Sequence, residues 1–198
     1  MFRARVAWIA AGAATLVFLG LLIWRLGTTA PASQPSLGGP FHLVDQYGRP
    51  QDQRIFQGKW TALYFGYTFC PDVCPTTLQT LAQARAGLGE RAKSFQVVFI
   101  TVDPQRDTPS QLKDYLSNSA FPPGTIGLTG TADQIAPVAS AYGVYYQKQG
   151  EGADYSVNHS SALYMIDPKG RFDSVIPYGL TPDETKDDIL KAMNGKGA

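Results

Sequence analysis

Cysteine and histidine are scarce in this chain, which has 2 of each among 198 residues. Two cysteines are too few for the disulfide framework of a small secreted domain or for a four-thiolate zinc site. Neither sign of charge is in excess, since Lys plus Arg is 17 and Asp plus Glu is 16. The chain therefore lacks the basic surface that nucleic acids require, and its 44% hydrophobic residues exclude a disordered protein.

The first 40 residues contain no acidic residue, and the apolar segment 6–24 contains no charge of either sign. A helix of that length spans roughly 28 Å, which matches one bilayer core. Arg3 and Arg5 precede the segment and Arg25 alone follows it, so the positive-inside rule places the N-terminus in the cytoplasm. We predict a membrane anchor over residues 1–26, with a transmembrane helix at 6–24.

A cleaved signal peptide is the alternative, because Ala30-Pro31-Ala32 resembles a processing site. The apolar segment is longer than the usual signal-peptide core of about 7–15 residues, which favours an uncleaved anchor. Residues 27–40 are rich in Gly, Pro, Ser and Thr and predict a flexible linker. Both interpretations export the domain at 41–198, to the periplasmic face of an inner membrane or, in a mitochondrion, to the intermembrane space.

Strand-like and helix-like patterns alternate along the domain. Runs rich in aromatic and β-branched residues predict strands at 60–67, 95–102 and 162–167, the first two buried on both faces. Helical spacing of apolar residues predicts helices at 75–88, 109–116, 131–142 and 182–193. A turn at 167–170 pairs the third strand with the segment after it in a hairpin. This order predicts an α/β sandwich around a mixed central sheet.

The two cysteines, Cys70 and Cys74, follow a buried strand, at the end of the strand where α/β proteins commonly place their chemistry. Because proline is tolerated only in the first turn of a helix, we expect the helix to begin near Pro75, with Cys74 at its N-cap. The helix N-terminus lowers a thiol pKa there. The three intervening residues let two sulfurs spread around one ion, although a structural disulfide is the alternative.

His159 precedes the third strand, on a predicted strand-entry loop. A lone histidine is more often a hydrogen-bonded surface or core residue than a ligand, and His42 near the linker is interpreted in that way. Two thiolates with one imidazole would suit Cu(I), and Cu(II) with a further donor. The residue pattern alone leaves the role of His159 open.

Four segments in this order resemble the Sco/SenC family of membrane-anchored copper proteins: FGYTFCPDVCPTTL at 65–78, VVFITVDPQRDTP at 97–109, GLTGT at 127–131 and YSVNHSS at 155–161. The resemblance implies a thioredoxin-like fold that holds one copper ion through Cys70, Cys74 and His159. It also implies a role in assembling the copper-A centre in subunit II of cytochrome c oxidase. One departure is Asn158, where the family pattern commonly has Asp before the histidine.

Two aspartates, Asp103 and Asp107, match the family motif within VDPQRD. We interpret them first as turn and helix-start residues. Their second interpretation is as carboxylates close to the metal.

The predicted function is copper delivery, with subunit II of cytochrome c oxidase as the acceptor. An upstream periplasmic copper donor and a thiol reductant are further expected partners, and nucleic acid is not. The alternative is a thiol-disulfide oxidoreductase that reduces the acceptor's cysteines with Cys70 and Cys74 as its catalytic redox pair. A classical enzyme is not predicted. A thiol peroxidase is disfavoured, because Thr68-Phe69-Cys70 lacks the Thr-x-x-Cys spacing that is typical of peroxiredoxins.

Overall fold

The structure, a computed structural model, describes Gly20 and residues 37–195. Apart from Gly20, the predicted transmembrane helix at 6–24 lies outside the described residues. No helix within the part of the chain described has the length and apolar character needed to cross a bilayer.

Residues 37–195 belong to one compact unit, and its first residues overlap the end of the predicted linker. Leu37 packs against the core, and the Gly38 N–H donates a hydrogen bond to the Ala141 carbonyl at 2.8 Å. The last residues of segment 27–40 therefore contact the domain.

Nine strands occur among the described residues: β1 (His42–Asp45), β2 (Pro50–Asp52), β3 (Trp60–Gly66), β4 (Phe95–Thr101), β5 (Ile126–Thr129), β6 (Tyr146–Gln149), β7 (Ser156–His159), β8 (Leu163–Ile166) and β9 (Phe172–Ile176). Seven of them form one sheet in the order β2-β1-β5-β4-β3-β8-β9. The central strands β3, β4 and β5 run parallel, and the outer strands pair antiparallel. The predicted mixed sheet is therefore confirmed, and β3 and β4 are buried along nearly their whole length because both faces are covered.

Strands β6 and β7 form a separate two-stranded sheet. The sequence pattern predicts neither of these strands and indicates a strand-entry loop at His159. In the structure, His159 is the last residue of β7 and pairs with Tyr146.

Four α-helices occur within residues 37–195: α1 (Val73–Ala86), α2 (Pro109–Leu116), α3 (Ala132–Ala141) and α4 (Pro182–Met193). Three begin at a threonine whose side chain accepts a backbone N–H of the first turn, namely Thr108, Thr131 and Thr181. These caps explain why the predicted bounds of α2 and α4 agree with the structure and those of α3 nearly do.

Helix α1 begins two residues earlier than predicted, at Val73, with Asp72 as its N-cap. Pro75 is then the third helical residue. The first turn of a helix has no internal acceptor for its N–H groups, so proline at that position loses no hydrogen bond. The first helical bond runs from the Thr76 N–H to the Asp72 carbonyl at 3.1 Å. Cys74 therefore lies inside the first turn, not at the cap.

The outer hairpins β1–β2 and β8–β9 are closed by turns of the same kind. Each turn has the sequence Asp-x-x-Gly-Arg, at 45–49 in the first hairpin and at 167–171 in the second. In each turn, one oxygen of the aspartate accepts hydrogen bonds from two backbone N–H groups, and the other accepts a hydrogen bond from the Nε of the arginine. Gly48 and Gly170 adopt φ of 75° and 78°, which glycine accommodates without strain. The turn at 167–170 was predicted, and its counterpart at 45–49 was not.

Acid is expected to weaken both turns. Burial alone would raise the pKa of Asp45 and Asp167, but the backbone N–H groups and the arginine lower each pKa below its usual value. Such carboxylates contribute stability above the unfolded-state pKa of about 3.9, and this contribution is lost as the pH falls through the folded-state pKa. We expect the Asp45→Asn, Asp167→Asn double variant to lose less free energy of unfolding between pH 5 and pH 2, measured by chemical denaturation. Exposed Asp133→Asn is the control, and equal slopes for all three proteins would contradict the prediction.

Candidate metal centre

Cys70, Cys74 and His159 converge beside the carboxyl end of β3, although His159 is 85 residues from Cys74. Their ligand atoms, two Sγ and one imidazole nitrogen, all lie within 4.8 Å of one another. Atoms that share one ion with bonds of about 2.3 Å lie at most about 4.6 Å apart. The group is therefore close to the size of a single-ion site, and its soft sulfur donors with an imidazole fit copper.

Cys74 is the buried member of the group, with 0% of its surface exposed. Its Sγ lies 3.4 Å from His159 Nε2. Gly66, the last residue of β3, makes room for it, because a Cβ at residue 66 would lie 2.9 Å from the Cys74 sulfur. The absence of a side chain at residue 66 thus allows the Cys74 sulfur to pack against the end of β3.

Cys70 is half-buried and lies in the loop between β3 and α1. Its Sγ accepts the Cys74 N–H at 3.4 Å, so it takes the place of a capping group at the helix N-terminus. No disulfide joins Cys70 to Cys74 in the structure. A metal ion can bind both sulfurs only in this reduced form.

The two thiols have opposite pKa shifts. The Cys74 thiol and the helix N-terminal N–H groups donate to Cys70 and, despite partial burial, hold its pKa well below the usual value. The pKa of Cys74 is raised, because its proton is shared with the Cys70 sulfur and its side chain is buried. The lowered thiol pKa predicted at the helix N-terminus therefore belongs to Cys70.

The His159 ring is oriented through Nδ1, the nitrogen that faces away from the sulfurs. Nδ1 lies 2.9 Å from the Ser160 carbonyl oxygen. A carbonyl only accepts, so Nδ1 carries the proton, and in the neutral ring Nε2 presents its lone pair toward the sulfurs. The rings of Tyr64 and Tyr67 lie edge-on to the imidazole, with centroids 6.2 and 5.8 Å away. The imidazole is thus held in the tautomer that a metal ligand needs.

Asp107 is fully buried and anchors the cysteine loop. Its carboxylate accepts the Thr68 N–H at 3.0 Å, the Thr68 hydroxyl at 2.7 Å and the Thr101 hydroxyl at 2.6 Å. Burial raises the pKa of Asp107, and the threonine hydrogen bonds oppose that rise. Thr108, not Asp107, caps α2, which corrects the helix-start interpretation.

Asp103 begins a turn, as predicted, since its carbonyl accepts the N–H groups of Arg106 and Asp107. Its buried carboxylate accepts hydrogen bonds from Tyr155 and Arg106. Among the described residues, neither Asp103 nor Asp107 belongs to the ligand group. Both support the loops around it instead.

His42 and Asn158, which the sequence analysis also considered, are both exposed. His42 is exposed on β1 and is not part of the group. Asn158 is exposed on β7, opposite Gln147, and leaves no carboxylate at that position.

Several supporting residues were not predicted from the sequence, although they lie within the motifs at 65–78, 97–109 and 155–161: Gly66, Tyr67, Thr68, Thr101, Arg106 and Tyr155. Each motif marks a segment as important, but the pairs that join two segments, such as Thr68 with Asp107, are separated by tens of residues. No local spacing reveals such pairs.

A family model and two curated proteins that match this chain all carry SCO names. Residues 29–194 match the family model described as SCO1/SenC. The chain is 39% identical over 180 residues to the mitochondrial protein SCO1 of Saccharomyces cerevisiae, covering 86% of this chain and 60% of that protein. It is 41% identical over 139 residues to an SCO2-like protein of Rickettsia prowazekii, covering 69% of this chain and 67% of the relative. The chain spans 46–60% of the length of three eukaryotic relatives.

Two solved structures with copper bound are similar to the domain. Bradyrhizobium japonicum ScoI matches with a TM-score of 0.71 and 40% identity, over 79% of this chain and 99% of that one. Copper-bound yeast Sco1 matches with a TM-score of 0.74 and 38% identity, over 81% of this chain and 90% of that one. These matches confirm the predicted thioredoxin-like α/β fold with its mixed sheet.

Proposed function

Because this chain belongs to the SCO1/SenC family, we propose that it binds one copper ion through Cys70, Cys74 and His159 and delivers it during assembly of cytochrome c oxidase. The observation that carries the proposal is the convergence of both cysteines and one of the two histidines within 4.8 Å. Relatives with about 40% identity have been solved with copper bound, which supports the choice of metal.

Copper is the cargo of this protein, and its capture follows from the state of the three side chains. Cys70 ionises more readily than Cys74, because its thiol pKa is lowered and that of Cys74 is raised. Cys74 loses its proton when the ion binds, so copper binding releases protons. His159 contributes Nε2, because Nδ1 is engaged by the Ser160 carbonyl. The soft set of two sulfurs and one nitrogen favours Cu(I), and a further donor would allow Cu(II).

Release is a stepwise exchange of ligands with an acceptor. Cys74 is buried, whereas Cys70 and His159 are partly exposed. The acceptor's first ligand therefore approaches from the side of Cys70 and His159, and Cys74 is the last to leave the ion. We propose the copper-A centre of cytochrome c oxidase subunit II as that acceptor, with a periplasmic copper donor and a thiol reductant acting upstream.

The proposed cellular arrangement places a membrane anchor at 1–26 and a tether at 27–40 before the copper-binding domain at 41–198. This arrangement locates the domain on the periplasmic face of an inner membrane, or in the intermembrane space of a mitochondrion. It is supported by the uncharged segment at 6–24 and its flanking arginines. Tethering to the same membrane as the acceptor raises the effective concentration for transfer.

The test of copper binding is an anaerobic titration of the full chain with Cu(I), in competition with a chelator of known affinity. We expect one copper per reduced chain and none in the disulfide-oxidised chain, because a disulfide offers no thiolate. Cys74→Ser should bind copper far more weakly than the reduced wild type. Equal binding by reduced and oxidised protein would reject the proposed site.

A second candidate function is thiol-disulfide exchange, favoured by the thiolate of Cys70 beside the thiol of Cys74. Cys70 would attack an acceptor disulfide and displace one acceptor cysteine as thiolate. Cys74 would then attack the Cys70 sulfur, releasing the second acceptor thiolate and leaving a Cys70–Cys74 disulfide. Two electrons pass to the acceptor, and a thiol reductant restores the pair. This activity does not need His159, so His159→Ala separates the two functions.

A further inference from the structure

Arg106 lies between the cysteine loop and the β6–β7 hairpin that carries His159. Its guanidinium carbon, Cζ, lies 3.6 Å from the centroid of the Tyr155 ring, 4.6 Å from that of the Phe69 ring and 5.8 Å from that of the Tyr67 ring. Its Nε donates to Asp103, and its Nη1 donates to the Ala153 carbonyl at 3.2 Å. Its side chain is only 16% exposed, which is unusual for arginine.

These contacts join three separate segments of the chain. Phe69 directly precedes Cys70, Asp103 follows β4, and Tyr155 directly precedes β7. The Tyr155 hydroxyl also donates to Asp103 at 2.6 Å, so the pair of Asp103 and Arg106 holds the tyrosine at both its ring and its hydroxyl. We name Arg106, Asp103, Tyr155 and Phe69 the arginine clip.

The hairpin needs such an anchor. Strands β6 and β7 pair with each other and not with the seven-stranded sheet, and an isolated two-stranded hairpin is marginally stable. The Val157 side chain is buried in the core, and the clip fixes the hairpin two residues earlier, at Tyr155.

We propose that Arg106 is the positioning residue of the metal centre: it holds the hairpin against the cysteine loop so that the His159 imidazole stays within reach of both sulfurs. The proposal rests on the copper-binding function described above. Arginine is specifically required, because a planar guanidinium stacks on rings while donating two directed hydrogen bonds, and a lysine ammonium supplies only a point charge.

The test compares Arg106→Lys with Arg49→Lys. Arg49 also pairs with a buried aspartate and stacks on a ring, that of Tyr47 at 4.9 Å, but it lies in the β1–β2 turn, outside the metal centre. We expect Arg106→Lys to lower the copper affinity of the full chain about 10- to 100-fold, as the loss of a residue that orients a ligand does. Arg49→Lys should bind copper as the wild type does. Wild-type affinity in Arg106→Lys would overturn the proposal.

A double-mutant cycle distinguishes positioning of His159 from general destabilisation. If Arg106 acts through His159, Arg106→Lys should lower the affinity no further in a His159→Ala background. An undiminished drop in that background would overturn the proposal. Tyr155→Phe removes the hydroxyl bond to Asp103 from the other side of the clip and should give a smaller drop in the same direction, which covers the case that Arg106→Lys does not fold.

Hydrogen exchange of the metal-free protein tests positioning without copper. The backbone amides of β7 should exchange at least about tenfold faster in Arg106→Lys than in the wild type, because the hairpin opens more often. Unchanged exchange would overturn the proposed role. If the wild type bound no copper, the proposed function would fail, while faster exchange in the variant would still support the clip.

Discussion

His159→Ala is expected to lower the copper affinity of the reduced chain by more than about 100-fold, because even residues that only orient a ligand are worth about 10- to 100-fold. The variant removes the nitrogen donor of the group and leaves the two sulfurs. Among the described residues, no other imidazole belongs to the group, so the lost donor is not replaced. Competition titration with a chelator, under anaerobic and reducing conditions, measures the effect.

His42→Ala is the matched control, because it removes the chain's other histidine from an exposed position on β1. It should bind copper as the wild type does. Dithiol reduction of a model disulfide should persist in His159→Ala, since Cys70 and Cys74 are intact. Equal copper affinity in His159→Ala and His42→Ala would remove His159 from the site and leave thiol-disulfide exchange as the better function.

Elements with strong local signals could be predicted from the sequence. The buried strands β3 and β4 are continuous apolar runs, and helices α2 and α4 each open with Thr-Pro, which combines a cap with a proline at the first helical residue. The start of α1 was misplaced because Pro75 was taken as the first helical residue, whereas proline is also tolerated at the third.

Elements whose stability depends on distant contacts could not be predicted. Strand β7 is only four residues long, pairs with β6 across a glycine-containing connection and depends on the core and on Arg106. The turn at 45–49 did carry a readable signal, because it repeats the Asp-x-x-Gly-Arg pattern of 167–171. This repeated pattern is sufficient to predict the turn at 45–49 and the hairpin that it closes.

The metal ligands also divide into those that local sequence signals predict and those that depend on distant contacts. The spacing of Cys70 and Cys74 and their place after a buried strand mark a site, but the residues alone left His159 open. Resemblance to a known family supplied the third residue, and the structure then brings the three together. The supporting contacts, from Gly66, Asp107 and Arg106, became visible only in three dimensions.

Asp107→Ala is expected to lower the free energy of unfolding by about 2–4 kcal/mol, because it removes three hydrogen-bond acceptor contacts and leaves donors unpaired in the interior. The lost partners are the Thr68 N–H, the Thr68 hydroxyl and the Thr101 hydroxyl. Denaturant unfolding of the metal-free reduced protein, with the slope checked for change, measures this loss.

Asp107→Asn separates the hydrogen bonds of this residue from its charge. The amide oxygen can still accept from Thr68 N–H and Thr101, and the amide NH₂ can donate to the Thr68 hydroxyl, which is itself able to accept. Because burial raises the pKa of Asp107, its carboxylate charge is costly, and its loss is tolerated. We therefore expect Asp107→Asn to lose no more than about 1 kcal/mol, and exposed Asp114→Ala to change stability by less than about 0.5 kcal/mol. Equal losses for the alanine and asparagine variants would mean that the charge of Asp107, rather than its acceptor geometry, holds the cysteine loop to β4.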